Sequence, residues 1–484
     1  MPWQAQKLAA IVSLMAIWWV GEAVPIPVTA LIPLALFPLM GILSAKETAP
    51  NYGNHLVFLF FGGFSIALSM EKWGLHKRIA LNIISVIGIN PERTILGFML
   101  ATGFLSMWIS NTASALMMLP VAIAVVKELA EGATIKGFNN SDNAPTVEKN
   151  LGCVFMLGVA YSASIGGIVT LIGTPPNVVL AGFFKNYSQE AEIGFGQWMA
   201  FTLPLALILM FSVWKFLCRF ASDIPFHNIV FNFSRETISD QLKTLGTLSR
   251  GERFVAWVFG VTACLWVFRK PMAISGFTIP GWSQWFNDPE LIQDSTVAMT
   301  MAALLFCVPL KFAKKLEPNH SQDIFTLDWK TVEKKMPWGI LFLFGGGFAL
   351  AEGFGKTGLD RWVGTQLEGV FSLPIWAIIL IVCLTVTFLT ELTSNTATST
   401  MILPILGAVA VKGGIEPAYL MFPAALSTSC AFMLPVATPP NAIVFGSGWI
   451  TISKMSRIGF AINIVGSIGI TLLTIFWLPI IWGF

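Results

Sequence analysis

The stretch "SMWISNTASALMMLP", Ser106–Pro120, sets serine, asparagine and threonine side by side in a run otherwise fit for lipid. The tripeptide returns in "TELTSNTATSTMILP", Thr390–Pro404, again followed by an apolar run that ends in Leu-Pro. Each copy lies near the middle of an apolar region, about 94–130 and 375–412. One such tripeptide alone would be read as hydrogen-bond glue between membrane helices. Its duplication calls for a second reading.

Composition sets the frame. The 484 residues are 55% hydrophobic and 11% charged, with a mean hydropathy of +0.73. Soluble domains carry about 25% charged residues, so this chain lacks the polar surface that water requires. It reads as an all-α polytopic membrane protein. Apolar spans fall near 6–22, 24–43, 56–71, 151–172, 198–220, 253–268, 295–311, 338–352, 417–436 and 458–482. Polar linkers lie at 221–252, 269–293 and 312–336 and are too short for catalytic domains. No HExxH or comparable set appears, which argues against an enzyme. A net charge of +3 argues against a nucleic-acid partner. The six cysteines form no CxxC pair and read as small core residues, and the four histidines show no metal-ligand spacing. "GKT" at Gly355–Thr357 is no phosphate loop, because Leu350 stands where that motif needs its first glycine. The first apolar run, Leu8–Val20, leads into another without an evident cleavage site, so no signal peptide is expected. Trp18 and Trp19 read as interface anchors, and Gly62–Gly63 and Gly345–Gly347 as close-packing positions.

An internal duplication accounts for the repeated tripeptide. "FLFFGGF" at Phe58–Phe64 matches "FLFGGGF" at Phe342–Phe348, and this pair sets a spacing. Gly74–Leu75 against Gly358–Leu359, the two SNT copies, and Leu119–Pro120 against Leu403–Pro404 all keep it. A second motif, "TPPN", occurs at Thr174–Asn177 and Thr438–Asn441, at a slightly shorter spacing. If each SNT region is a hairpin that enters and leaves on one side, each half makes an odd number of crossings, and the second half is inverted. With the N-terminus outside, inner segments hold 21 of the 29 basic residues, as cytoplasmic loops favour.

A hairpin cannot turn in bare hydrocarbon, so its tip must line a cavity or pack in protein. A Ser-Asn-Thr tip offers hydroxyls and a carboxamide. The departing helix begins near Ala113 or Ala397 and presents free N–H groups and a partial positive charge, which suit a carboxylate. The arriving helix ends in unpaired carbonyls, which suit a hard cation. The Pro-Pro pairs cannot continue a helix, so the TPPN segments are expected to be breaks within spans. Four polar interruptions, paired by pseudo-symmetry, could then form one site. Glu391 precedes the second tip. An acid within a span can be a functional group such as a proton carrier, yet its counterpart is Met107, which favours a structural role.

At these residues the chain resembles the divalent anion/sodium symporter (DASS) family, the sodium-coupled di- and tricarboxylate transporters. The resemblance runs through "GEAVPIPVTALIPLALFPLMGI", "FFGGFSIALSMEKWGLHKRIAL", "GFLSMWISNTAS", "YSASIGGIVTLIGTPPNVVL", "TELTSNTAT" and "AFMLPVATPPNAIVFGSG". It implies two inverted-topology repeats, each with a re-entrant hairpin and a broken transmembrane helix, working as an elevator within a homodimer. Segments 1–90 and 253–372 would be the scaffold parts. Segments 91–220 (tip 110–112, break 173–177) and 373–484 (tip 394–396, break 437–441) would be the transport parts, with 221–252 a cytoplasmic linker. It also implies one sodium site at Ser106, Ser110, Asn111 and Gly173 and another at Thr390, Thr393, Asn395 and Ala437, hence at least two Na+ per cycle. The substrate would be held by Asn111, Thr112, Thr174, Pro175, Ser394, Asn395, Thr396, Thr438 and Pro439. Members usually have one more span before the region matching Leu8–Val20. The implied activity is sodium-coupled symport, in the plasma membrane, of C4-dicarboxylates (succinate, malate, fumarate) or related acids such as citrate. A sodium-independent exchanger or a proton-coupled carrier of the same fold is the alternative.

Overall fold

A computed structural model describes residues 1–87, 91–131, 133–135, 144–188, 192–224, 229–231, 242–274, 277–309, 325–366 and 372–483. Lys136, Arg235, Lys311, Lys314 and Lys315, counted above as inner-side charges, lie outside these residues, as does most of the 312–336 linker.

Helices dominate. By length and composition, six of those described can cross a bilayer: Ala45–Lys72, Asn111–Glu131, Pro145–Gly167, Phe195–Phe220, Trp338–Thr357 and Ile452–Phe476. Shorter apolar helices include Pro175–Phe184, Asp294–Cys307, Ile375–Thr390 and Ala418–Thr428. The span expected at 24–43 is not continuous. It forms Ile26–Thr29 and Ile32–Met40, with Pro27 and Pro33 each seated in a first turn, where a missing N–H costs nothing. Trp19 is no interface anchor. It shares a helix face with Leu8, Ile11 and Met15, is 1% exposed, and donates its indole N–H to the Ile26 carbonyl. Cys153, Cys383 and Cys430 are buried as expected, whereas Cys264 and Cys307 are exposed.

The two repeats interlock. The glycine-rich helix of the first, His55–Lys72, packs against Asp294–Cys307 of the second, and Trp338–Thr357 packs against Ile26–Thr29 and Ile32–Met40 of the first. Glycine permits this approach: a Cβ on Gly62 would lie 2.7 Å from Ala298, and one on Gly346 would collide with the Ala30 carbonyl. The hairpins are exchanged likewise. Asn111–Glu131 packs on Pro439–Phe445, and Asn395–Lys412 packs on Pro175–Phe184. Each departing helix thus leans on the break helix of the other repeat.

Polar contacts sort to the two ends of the bundle. Lys72–Asp328, Arg78–Glu252, Lys335–Glu71 and Lys454–Asp223 join groups that the charge count assigns to the inside. Arg269–Asp294, Lys270–Glu192 and Lys356–Glu47 join groups assigned to the outside. Burial pushes the Asp328 carboxyl up, but the Lys72 ammonium and the Thr331 hydroxyl and N–H outweigh it and hold the group below its ordinary value. Strands Ala133–Ile135 and Ile229–Phe231 pair antiparallel, so the 221–252 linker meets the end of the first hairpin.

Sidedness is directly testable. Single cysteines in the 221–252 and 312–336 linkers, in a background without the native six, should resist an impermeant maleimide in intact cells. A cysteine in the 269–293 linker should react. Strong external labelling at 312–336 would reverse the assignment.

Candidate functional site

The first hairpin rises as Pro91–Ser106 and leaves as Asn111–Glu131; the second rises as Ile375–Thr390 and leaves as Asn395–Lys412. Both pairs of boundaries keep the spacing of the two SNT copies. The Ser110 hydroxyl accepts the Ala113 N–H at 3.2 Å and caps the first departing helix, whereas Ser394, in extended conformation, holds the same N-cap place without a side-chain capping bond.

Below each tip one hydroxyl faces two acceptors. Ser106 Oγ lies 2.6 Å from Asn111 Oδ1 and 2.7 Å from the Ala163 carbonyl. Thr390 Oγ1 lies 2.7 Å from Asn395 Oδ1 and 3.0 Å from the Thr428 carbonyl. A hydroxyl has a single proton to give, so each group sets one hydroxyl proton between a carboxamide and a backbone carbonyl. Gly173 and Asn111 both press on Gly167: a Cβ there would meet Asn111 Oδ1 at 2.5 Å, and one on Gly173 would meet the Gly167 carbonyl at 2.5 Å. Ser106, Asn111 and Gly173 are therefore brought together. Thr390 and Asn395 are brought together too, while Thr393 turns to Thr398 (2.5 Å) and to the Leu389 carbonyl (3.0 Å).

The breaks are as symmetrical as the tips. Thr174 (φ −144°, ψ 142°) and Thr438 (φ −142°, ψ 148°) are both extended, and Pro175 and Pro439 open the helices that follow. Asn177 Nδ2 donates to the carbonyls of Gly167 (3.2 Å) and Thr170 (2.7 Å). Asn441 Nδ2 donates to those of Ala431 and Leu434, both at 3.0 Å, which are the equivalent positions before the second TPPN. Each asparagine ties down carbonyls freed where the preceding helix ends. The sequence showed these residues as the last letter of TPPN but gave them no task.

The repeats differ in what covers them. Trp108 (8% exposed) stacks on Phe195 and meets Phe259 edge-on, and Ile172 (5%) rests on Gly63. Their counterparts, Leu392 and Val436, are 71% and 82% exposed. A cavity of about 520 Å³ runs from Ile109, Ser110 and Ala113 to Glu71, His76 and Lys335, which the charge count assigns to the inside. No Lys or Arg occupies a tip or break position.

A family model described as the sodium:sulfate symporter transmembrane region matches residues 1–483. The chain belongs to the sodium:sulfate symporter family. It is similar to the sodium-dependent dicarboxylate transporter SdcS of Staphylococcus saprophyticus, 40% identical over 474 residues, covering 98% of this chain and 86% of that one. A Staphylococcus aureus protein of the same name is also 40% identical, over 487 residues, covering 100% and 88%. Among solved structures, the Alcanivorax borkumensis YdaH transporter matches with a TM-score of 0.59 at 11% identity, covering 99% of this chain and 98% of that one. Neisseria gonorrhoeae MtrF matches with a TM-score of 0.56 at 12% identity, covering 99% and 95%. These two share the fold. As a member of the symporter family the chain is a transporter rather than an enzyme, an integral multi-pass membrane protein of two inverted repeats.

Proposed function

We propose that this transporter carries C4-dicarboxylates (succinate, malate or fumarate), or related acids such as citrate, across the plasma membrane with sodium as the coupling ion, at least two per cycle. The observation that carries the reading is the pair of oxygen clusters, each with one hydroxyl proton set between a carboxamide and a backbone carbonyl. A hard cation takes oxygen ligands of these kinds. The first ion would take Ser106, Ser110, Asn111 and the Gly173 carbonyl, and the second Thr390, Thr393, Asn395 and the Ala437 carbonyl. The names of the staphylococcal relatives support both ion and substrate class.

The carboxylates would then meet Asn111, Thr112, Thr174 and Pro175 on one side, and Ser394, Asn395, Thr396, Thr438 and Pro439 on the other. With no cationic side chain there, the dianion relies on sodium and on the starts of the departing helices. That demand favours symport over exchange. A proton carrier would need a free acid, and both oxygens of Glu391 are taken by N–H donors. Segments 91–220 and 373–484 would move as one body against 1–90 and 253–372, an elevator within a homodimer. Their exchanged hairpins favour a joint motion.

Proteoliposome uptake of each acid, with and without an inward sodium gradient, tests the reading. Accumulation of succinate, malate or fumarate only with sodium is expected. Equal uptake without sodium, driven by an internal carboxylate or a proton gradient, would overturn it.

A further inference from the structure

We propose that Lys335 is a carboxylate-docking site at the far end of the cavity under the first tip, where a dicarboxylate leaving the tips takes the place that Glu71 otherwise holds. This rests on the dicarboxylate reading above. The cavity of about 520 Å³ has mostly apolar walls: Phe64, Ala67 and Leu68 on one side, Ala113, Leu116 and Met117 on the other. Its polar side chains stand at the ends, Ser110 at the tip and Glu71, His76 and Lys335 away from it. A dianion passing between such walls leaves water and gains no polar partner on the way. At the far end Lys335 is the one lysine or arginine lining the cavity. His76 turns its Nδ1 to the Met70 carbonyl at 2.9 Å, which in the neutral ring leaves Nε2 an acceptor. Lys335 is therefore the group to meet a carboxylate.

Its present partner is a carboxylate already. Lys335 ends the helix Trp329–Lys335 of the second repeat, and Glu71 lies in the last turn of His55–Lys72 of the first. Lys335 Nζ stands 2.5 Å from Glu71 Oε1, and the two side chains are 51% and 42% exposed. A neighbouring pair is built otherwise. Lys72 and Asp328, 2.7 Å apart, are 17% and 20% exposed, and Asp328 also accepts the Thr331 hydroxyl at 2.7 Å and its N–H at 2.8 Å. That pair is enclosed and fixed. The Lys335 pair is open to water, where an ion pair is worth little, and Glu71 set free from it stays hydrated. Lysine has a flexible stem and three donors, so it can change partner without a set geometry. A substrate carboxylate thus offers Lys335 the bond that Glu71 gives up. Glu71 then stands beside a dianion with its own charge unmatched, and the repulsion favours release. Lysine captures; glutamate clears.

The full-length carrier in proteoliposomes, with succinate as the probe and KM measured from each face, tests the proposal. Lys335→Gln should raise KM from the face that bears Lys335 by about two- to fivefold, the range an exposed charge pair gives. KM from the opposite face should stay near wild type. Glu71→Gln, which frees the lysine, should lower KM from the Lys335 face by a similar factor. Added choline chloride at constant sodium should raise that KM in wild type and much less in Lys335→Gln, because salt screens exposed charges. The opposite signs are decisive. If the pair only ties two helices together, both substitutions shift KM the same way or leave it unchanged, and the proposal falls. A raised half-saturating sodium concentration in Glu71→Gln, with succinate KM unchanged, would make Glu71 a cation station and overturn it too. Wild-type proteoliposomes that take up no dicarboxylate would defeat the reading above and this site with it, so the two failures are told apart.

Discussion

Asn111→Ala is expected to remove most uptake, and Asn395→Ala to do so comparably, although the two stand in opposite halves of the chain. Each carboxamide oxygen stands beside the hydroxyl of its cluster, at 2.6 Å from Ser106 and 2.7 Å from Thr390. Alanine removes one proposed ligand of the ion and one proposed contact to the substrate. A lost hydrogen bond to a charged group costs about 1.5–3 kcal/mol, which is a factor of about 10 to 150 in affinity for each contact. Neither change should unfold the protein, because both residues are only partly buried and stand at the first position of their helices. Initial uptake rates, normalised to protein in the membrane, measure the effect. A substitution at Cys218, on an apolar span away from the tips, should leave rates near wild type. Normal transport by Asn395→Ala at unchanged protein level would mean that one tip suffices.

Substrate affinity is expected to rise steeply with sodium, with a Hill coefficient above one. Without the ion, the tips offer a dianion only neutral dipoles and helix starts, while its loss of water is costly. A sodium ion beside each tip adds a full positive charge within a few ångströms, where a low dielectric makes it count. Potassium and lithium should substitute poorly, because the oxygens of each cluster are held at fixed spacing by helix boundaries. Linkage is reciprocal, so a dicarboxylate must tighten sodium binding by the same factor. Calorimetric titration of the purified carrier, in each order of addition, measures both directions. Substrate binding indifferent to sodium would sink the coupling scheme.

Most of the architecture was legible because duplication prints it twice. Ser106 against Thr390 and Gly173 against Ala437 keep their spacings in the sequence, and the helix boundaries at the tips repeat in the same register. Those positions are set by local chemistry, proline and N-cap serine, which a sequence displays. What stayed hidden depends on contacts between distant segments. The burial of Trp19 needs the fold of Ile26–Met40 above it. The backbone partners of Glu391, at Met433 and Leu434, lie far along the chain, and their N–H groups carry no signature in the side chains. The broken 24–43 span was a matter of degree: its prolines were in plain view, but a proline in a membrane helix need not break it.

The exchange of helices between repeats bears on how the protein is made. Asn111–Glu131 leans on Pro439–Phe445, which leaves the ribosome much later. With synthesis at about 5–20 residues per second, the delay is roughly 15–60 s. Through that interval the first tip and its apolar flanks wait in the bilayer without their final cover. The first half is thus a guest of the insertion machinery until the last spans arrive, and a chain cut short before Pro439 loses the lining of a site that it has already built.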